Sequence, residues 1–449
     1  METQLTRSKA GAYWALACTM LFGACTVDGL EPVDPSNNPN PGDPVETLPG
    51  NGAGFEPAFE GQTRGPGAST ATPREVSMIV QDTQLYKPWS FKFISQTQLL
   101  VTQKNGIIRL VTTDGHVGEP LSGVPAVFFN DNISGSNAGL FDIALDPDVA
   151  LNRTIYLSYS KGNANGSRLT VARAKVDVAN NRLTDVTEIY QTTPAIAGAA
   201  VYGGRLLFDR HGYLLVSTGA RHRNDSRYMS QNLDASIGKI LRIDRNGNAA
   251  PGNPFAGIQG ALPEIWVYGI RSPLGMAFHP HTGELWETEH GPKGGDELNI
   301  IKPGVNYGWP IISYGIMYDG TPVGRGIHQT PGSDPAVYYF DPNNLTGGGI
   351  TQHPDMEQPR YYWDPSVAPG GITFYDSDVI SEWKYNLFVC ALNGKHLIRL
   401  ILKDGKVIGE ERFLEDQGVR LRDVQMGPDG ALYVISDTNE GRIYRISKQ

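Results

Sequence analysis

GRLLFDRHGYLLVSTG, Gly204 to Gly219, holds two short apolar runs on either side of a turn. The alternation of large apolar and small polar residues suits a pair of antiparallel strands. Asp209, His211 and Gly212 supply the turn between them. The same template returns five more times: FKFISQTQLLVTQKNGIIRLV from Phe91, FDIALDPDVALNRTIYLSYS from Phe141, GMAFHPHTGELWETEHG from Gly275, ITFYDSDVISEWKYNLFVCALNGKHLIRL from Ile372, and VQMGPDGALYVISDTNEGRIYRI from Val424. One such unit cannot bury both of its faces, so the copies must pack side by side, and radial closure removes most exposed edges. Six copies predict an all-β fold, a six-bladed β-propeller. Helical periodicity is weak throughout.

Composition agrees with many short strands joined by turns: the 449 residues include 53 Gly and 31 Pro, and 40% are hydrophobic. A formal net charge of −9, with no basic run, argues against a nucleic-acid partner. At the N-terminus Arg7 and Lys9 precede the apolar run AGAYWALACTMLFGA, which ends in small residues before Cys25. That run of about 15 residues is too short for a stable membrane-spanning helix. Residues 1–25 are expected to be a signal segment, residues 26–75 a disordered Pro/Gly/Asn-rich tether, and residues 76–449 the propeller. Cys390, inside LFVCAL, reads as a buried small hydrophobe.

EHGPKGGDELN, Glu289 to Asn299, offers backbone carbonyls on a tight turn followed by two carboxylates. Hard cations choose such oxygen cages, and a solvated turn has the same composition. The longer stretch around it, EIWVYGIRSPLGMAFHPHTGELWETEHGPKGGDELNIIKPGVNYGWPIISYG, closely resembles the glucose/sorbosone dehydrogenase family of quinoproteins. So do PWSFKF, GLFDIALDP, GGRLLFD with GYLLVSTG, NLDASIGKILRID and VRLRDVQMGPDGALYV, in that order. The likeness runs from about Trp89 to the C-terminus.

The resemblance implies a propeller that binds pyrroloquinoline quinone (PQQ) and Ca²⁺ at one end of its channel. It also implies oxidation of an aldose to its lactone, with electrons passing to a separate acceptor. On the family pattern Arg271, Arg420 and Arg422 meet the PQQ carboxylates, with Asn137, Ser272 and Asn393 at further cofactor positions. Gly291 and Pro292 offer carbonyls to one Ca²⁺, and Asp296, Glu297 and the Tyr307 backbone match a second Ca²⁺ region. Arg suits this work because it stays charged and forks onto a carboxylate.

The family's general base, a His, falls at Val201, and its orienting Asp falls at Ala220. Neither residue can take a proton. Asn393 stands where the family has Lys, with Lys395 close by in sequence. His222 and Asp225, at the end of the same strand as Ala220, are the fallback pair; His290 is a family residue without that role, and Tyr202 is a weak base at neutral pH. His211 is expected to face away from the channel. The tetrad FGAC resembles a lipoprotein box, which implies lipidation of Cys25, export, and attachment to the outer membrane through the anchor alone. Two functions remain open at this point: a PQQ-dependent sugar dehydrogenase, and a catalytically silent propeller that binds a glycan or a protein.

Overall fold

A computed structural model describes residues 42–51, 54–133 and 135–449. The signal segment, Cys25 and the tether up to residue 41 lie outside them. Among the described residues no helix is long and apolar enough to cross a membrane.

Six four-stranded antiparallel sheets make up the domain. Written from the inner strand outward, blade 1 is Pro88–Phe93, Gln98–Gln103, Ile107–Thr112 and Val117–Pro120; blade 2 is Leu140–Leu145, Thr154–Asn163, Gly166–Asp177 and Arg182–Gln191. Blade 3 is Gly203–Phe208, Leu214–Thr218, Lys239–Ile243 and Ile265–Tyr268, and blade 4 is Pro273–Phe278, Leu285–Glu289, Asp296–Ile301 and Tyr361–Trp363. Blade 5 is Pro369–Phe374, Leu387–Ala391, His396–Lys403 and Lys406–Phe413. Blade 6 takes Leu421–Met426, Leu432–Ser436 and Gly441–Lys448 from the C-terminal end and borrows its outermost strand, Arg74–Asp82, from the other. Each inner strand touches the next, and Leu421–Met426 touches Pro88–Phe93 to close the ring. The all-β six-bladed propeller is therefore as expected, and each sequence repeat supplies the inner strands of one blade.

Packing follows the alternation in the sequence. Phe91, Leu99 and Val101 pack with Tyr433 and Ile435 between blades 1 and 6, for example, and Trp286, Leu298, Ile372 and Val389 fill the seam between blades 4 and 5. Cys390 is buried and free, as its apolar run predicts.

At the axis the fold uses charge. Arg205, fully inside on the blade 3 inner strand, lies 3.3 Å from Asp142 of blade 2 and 3.2 Å from Asp423 of blade 6. Its Nε donates to the Leu274 carbonyl of blade 4, and Ser90 of blade 1 donates to Asp142. Blade 5 passes here as Gly371, where an added side-chain carbon would stand 1.8 Å from Asp423 Oδ1. All six blades meet at this one network.

Within the expected tether, the described residues 42–51 and 54–73 are held by specific contacts. Gln62 is buried, its Nε2 donating to the Pro359 carbonyl while its own carbonyl accepts from the Tyr362 N–H. Arg64 donates to the carbonyls of Glu46, Leu48 and Asp364. Glu46 pairs with Arg412 at 3.0 Å, and Thr70 bonds Glu411 through both its N–H and its hydroxyl. Low apolar content hid this strap, because it is held by polar groups matched to the outer strands of blades 4 and 5 and needs no core of its own.

Replacing Arg205 with Met leaves two buried carboxylates facing each other without a cation. Loss of one partner from a buried ion pair costs about 3–5 kcal/mol, so the R205M midpoint in urea unfolding should fall by that equivalent. An unchanged midpoint would mean the network does not carry the ring.

Candidate functional site

Every inner strand begins, and every second strand ends, at the same end of the channel, so the loops that carry the expected site residues gather there. His211 sits in the turn at the opposite end. This follows from the blade topology alone.

In blade 3 the segments 199–203 and 219–221 lie side by side: Gly219 N–H donates to the Tyr202 carbonyl and Arg221 N–H to that of Val201. Gly219 is required, since a side-chain carbon there would stand 2.3 Å from the Val201 oxygen. Val201 has φ +53°, a left-handed conformation that is costly for a β-branched residue. Tyr202 is buried, its hydroxyl 2.6 Å from Ser167 Oγ, and burial raises its pKa. Arg221 lies over the Tyr202 ring at 3.8 Å and donates to the carbonyls of Ser167, Gly198 and Ala200. Arg221, which the sequence reading missed, thus fixes the segment that carries Val201.

Val201 and Ala220 do come together. With His222, Asn224, Arg227, Arg271, Trp309 and Met317 they line a cavity of about 90 Å³. His222 reaches the cavity wall although much of the residue is exposed. Burial of its ring, and then the charges of Arg271 and Arg227, lower its pKa to about 4. The fallback pair is not formed: Asp225 is held by Arg223 at 2.6 and 2.7 Å. Asp225 is a loop carboxylate that found the nearer guanidinium, so His222 has no orienting acid from that source.

The three expected arginines surround His290. Burial, followed by the charges of Arg271, Arg422 and Arg420, holds the His290 pKa at about 3, and its Nε2 lies 2.9 Å from the Pro369 carbonyl. Arg422 pairs with Asp437 at 2.5 Å, and the exposed Arg420 reaches the same carboxylate at 3.4 Å. Burial works to raise the Asp437 pKa, but Arg422, Arg420 and Lys104 outweigh it and pull it to about 2. Lys104, another residue the sequence reading missed, is buried near this group, and desolvation lowers its pKa to about 8.

Asn137, with its side-chain oxygen buried and unpartnered, is anchored through its N–H to the Ala199 carbonyl. Ser272 is buried and gives its N–H to Glu289. Asn393 is exposed and donates to the Ser366 carbonyl, while Lys395 is exposed as well.

The metal-region residues divide. Asp296 accepts from the Gly291 N–H at 2.8 Å, the Ser366 hydroxyl at 2.6 Å and the Ala368 N–H at 2.7 Å. Asp296 thereby holds the Gly291–Pro292 turn against the 366–368 loop. Burial raises its pKa to about 6 despite those bonds. The strap continues the chain of contacts: Asn51 accepts from the Ser366 N–H and donates its own N–H to Asp364. Tyr307 is buried and its hydroxyl donates to the Ile300 carbonyl.

Glu297 faces Glu289 across the blade 4 strands, and Glu287 faces Asn299 two pairs further on, on the same face. Asn299 Nδ2 reaches Glu287 at 3.2 Å and Glu297 at 3.4 Å, while Glu287 Oε1 has no partner. Burial raises all three glutamate pKa values, and neighbouring carboxylates add to it: Glu289 and Glu297 for Glu287, Glu289 and Asp296 for Glu297, and Asp296 for Glu289. Glu287 and Glu289 were legible as an i, i+2 pair on one strand face. Among the described residues no three His, Cys, Asp or Glu side chains are placed to hold a metal ion together.

The glucose/sorbosone dehydrogenase family model matches residues 85–353 and 343–445. The aldose sugar dehydrogenase of Escherichia coli is 36% identical over 381 residues, covering 84% of this chain and 94% of that protein. The crystal structure of the soluble Escherichia coli aldose sugar dehydrogenase in its apo-form superposes with a TM-score of 0.73 at 34% identity, over 84% of this chain and all of that one. Quinoprotein glucose dehydrogenase B of Acinetobacter calcoaceticus is 27% identical over 253 residues, 51% of either chain.

The glutamate cluster generates a stability prediction. A carboxyl whose folded pKa is raised destabilises the fold at any pH above its unfolded pKa, because it is protonated or strained in the fold and freely ionised outside it. E287Q should therefore melt several degrees higher than the parent in chelator at pH 7.5, with the gain vanishing toward the ordinary glutamate value of 4.5. A lower melting temperature at pH 7.5 would reject the repulsion.

Proposed function

The chain belongs to the glucose/sorbosone dehydrogenase family, and from that premise we propose that it is a PQQ-dependent sugar dehydrogenase in which His222 is the proton acceptor. The observation that carries this reading is the cavity where Val201, Ala220, His222 and Arg271 meet. The two expected positions of the base and its orienter lie there, both apolar, and His222 is the imidazole on the same wall.

The residues fit a polycarboxylate cofactor by charge. Three guanidinium groups stand around His290, two of them paired with Asp437. Among the described residues the Arg271 guanidinium forms no ion pair, with Nη1 on the His290 carbonyl at 2.7 Å and the guanidinium over Trp309 at 5.1 Å. PQQ, when bound, supplies the carbonyl that accepts hydride, and a Ca²⁺ held in part by the Gly291 and Pro292 carbonyls would polarise it. Asp296 keeps that turn in place, and Trp309 and Met317 wall the cavity beside His222.

His222, with its pKa near 4, is neutral at pH 7 and able to take the sugar hydroxyl proton. It is a weak base without an aligned carboxylate, so turnover is slow. The second reading, a silent propeller that binds a glycan or a protein, draws support from that missing partner and from Val201 and Ala220. We also propose that residues 1–25 direct export and that Cys25 carries a lipid anchor to the outer membrane. Electrons would leave to a separate acceptor, since the chain has no haem-attachment motif.

The test reconstitutes the purified protein with PQQ and Ca²⁺, then follows cofactor absorbance and reduction of an artificial acceptor with aldoses. Expected are PQQ binding and a slow rate that rises with pH through about 4 and then levels, as His222 loses its proton. H222A should lose at least ten-fold in kcat, and V201H combined with A220D should gain, since a positioned base is worth about 10²–10⁴-fold. Absence of PQQ binding would sink the enzyme, and binding without turnover would favour the silent propeller.

A further inference from the structure

Buried arginines in this protein are almost all neutralised. Arg205 has Asp142 and Asp423, Arg242 has Asp209, Arg399 has Glu411, and Arg412 has Glu410 and Glu46. Arg109 and Arg221 are saturated by backbone carbonyls.

Arg227 and Arg271 break the pattern. Both are buried and both line the cavity of about 90 Å³, and among the described residues neither guanidinium forms an ion pair, although the Arg271 N–H donates to the Glu289 carboxylate. Arg227 Nη1 rests on Met317 Sδ at 2.9 Å, Nη2 on the Asn224 side-chain oxygen, and its Nε is buried without any partner. Two like charges held in a space walled by Val201, Ala220, Trp309 and Met317 repel each other in a poorly solvated setting, and an anion between them relieves both.

We propose that this cavity is the subsite for the carboxylate of an acidic sugar, a uronic acid being the class, with Arg227 as the residue that selects it. The inference rests on the reading of the site as a sugar site and adds the charge of the substrate. The hexose ring lies toward the channel mouth. The Trp309 Nε1–H, which has no partner, and the guanidinium groups can donate to a neutral hydroxyl, but only an anion offsets the Arg227 charge, so a neutral aldose leaves that charge uncompensated. Arg227 is not among the cations that family likeness assigns to PQQ, so it stays available when the cofactor takes Arg271. A carboxylate there would turn the missing acid of the site into a part of the substrate.

Isothermal titration of the purified full domain with glucuronate, galacturonate, glucose and glucose 6-phosphate tests this, with PQQ absorbance recorded on the same samples. Glucuronate or galacturonate should bind at least ten-fold tighter than glucose, and the preference should disappear in R227M. A220D, which places a carboxylate beside the same arginines without removing either, should abolish it independently, so an R227M protein that fails to fold does not decide the matter. Equal affinity for glucose and glucuronate, an unchanged preference in A220D, or tighter binding of glucose 6-phosphate would overturn the proposal. PQQ binding without an acidic preference would reject the substrate class alone, while an acidic preference without PQQ binding would reject the cofactor reading alone.

Discussion

The propeller depends on one buried cation. Six twisted sheets arranged radially leave a narrow space on the axis, and apolar side chains from six directions cannot fill it with directional order. Arg205 can, because its guanidinium reaches Asp142, Asp423 and the Leu274 carbonyl at once while its face lies 4.6 Å from the Trp89 ring. Removing two carboxylates and a guanidinium from water costs much of what their attraction returns, so the network's value lies more in setting which strands meet than in net stability. Gly371 shows how little tolerance it has, since blade 5 must approach as bare backbone.

That constraint also explains why the mouth of the channel can change while the ring does not. Val201 sits in a left-handed conformation that suits Gly, Asn or His better than a β-branched side chain, with its backbone held by Arg221 and Gly219. The backbone contacts there hold that conformation whatever side chain stands at the position.

Much of the fold was legible in the sequence because strand pairs repeat with period-2 alternation, as GRLLFDRHGYLLVSTG does. Positions fixed by register to a strand end, such as Val201, Ala220 and Arg271, were legible for the same reason. What escaped depends on contacts between distant segments. Glu46, Gln62 and Thr70 look like solvated linker residues until their partners on Pro359, Glu411 and Arg412 are seen. Asp296 reads as a ligand from its motif, and its bonds to Ser366 and Ala368, far along the chain, could not be read there. Asp225 has the right type and the right distance in sequence, but two residues away Arg223 offers a better-matched partner than His222.

The sixth sheet is closed by hydrogen bonds between Arg74–Asp82 and Gly441–Lys448, paired so that Arg74 meets Lys448 and Asp82 meets Gly441. During synthesis the seam cannot form until Gly441–Lys448 exists, so the sixth sheet waits for a strand made long after its partner. Antiparallel pairing also places residue 74 and residue 448 at the same extremity of the seam. A mechanical load between the two ends of the domain would therefore part the bonds one pair at a time, as a zipper opens, instead of shearing all of them together. The polar strap before residue 74, fastened to the neighbouring blades 4 and 5, takes up such a load first.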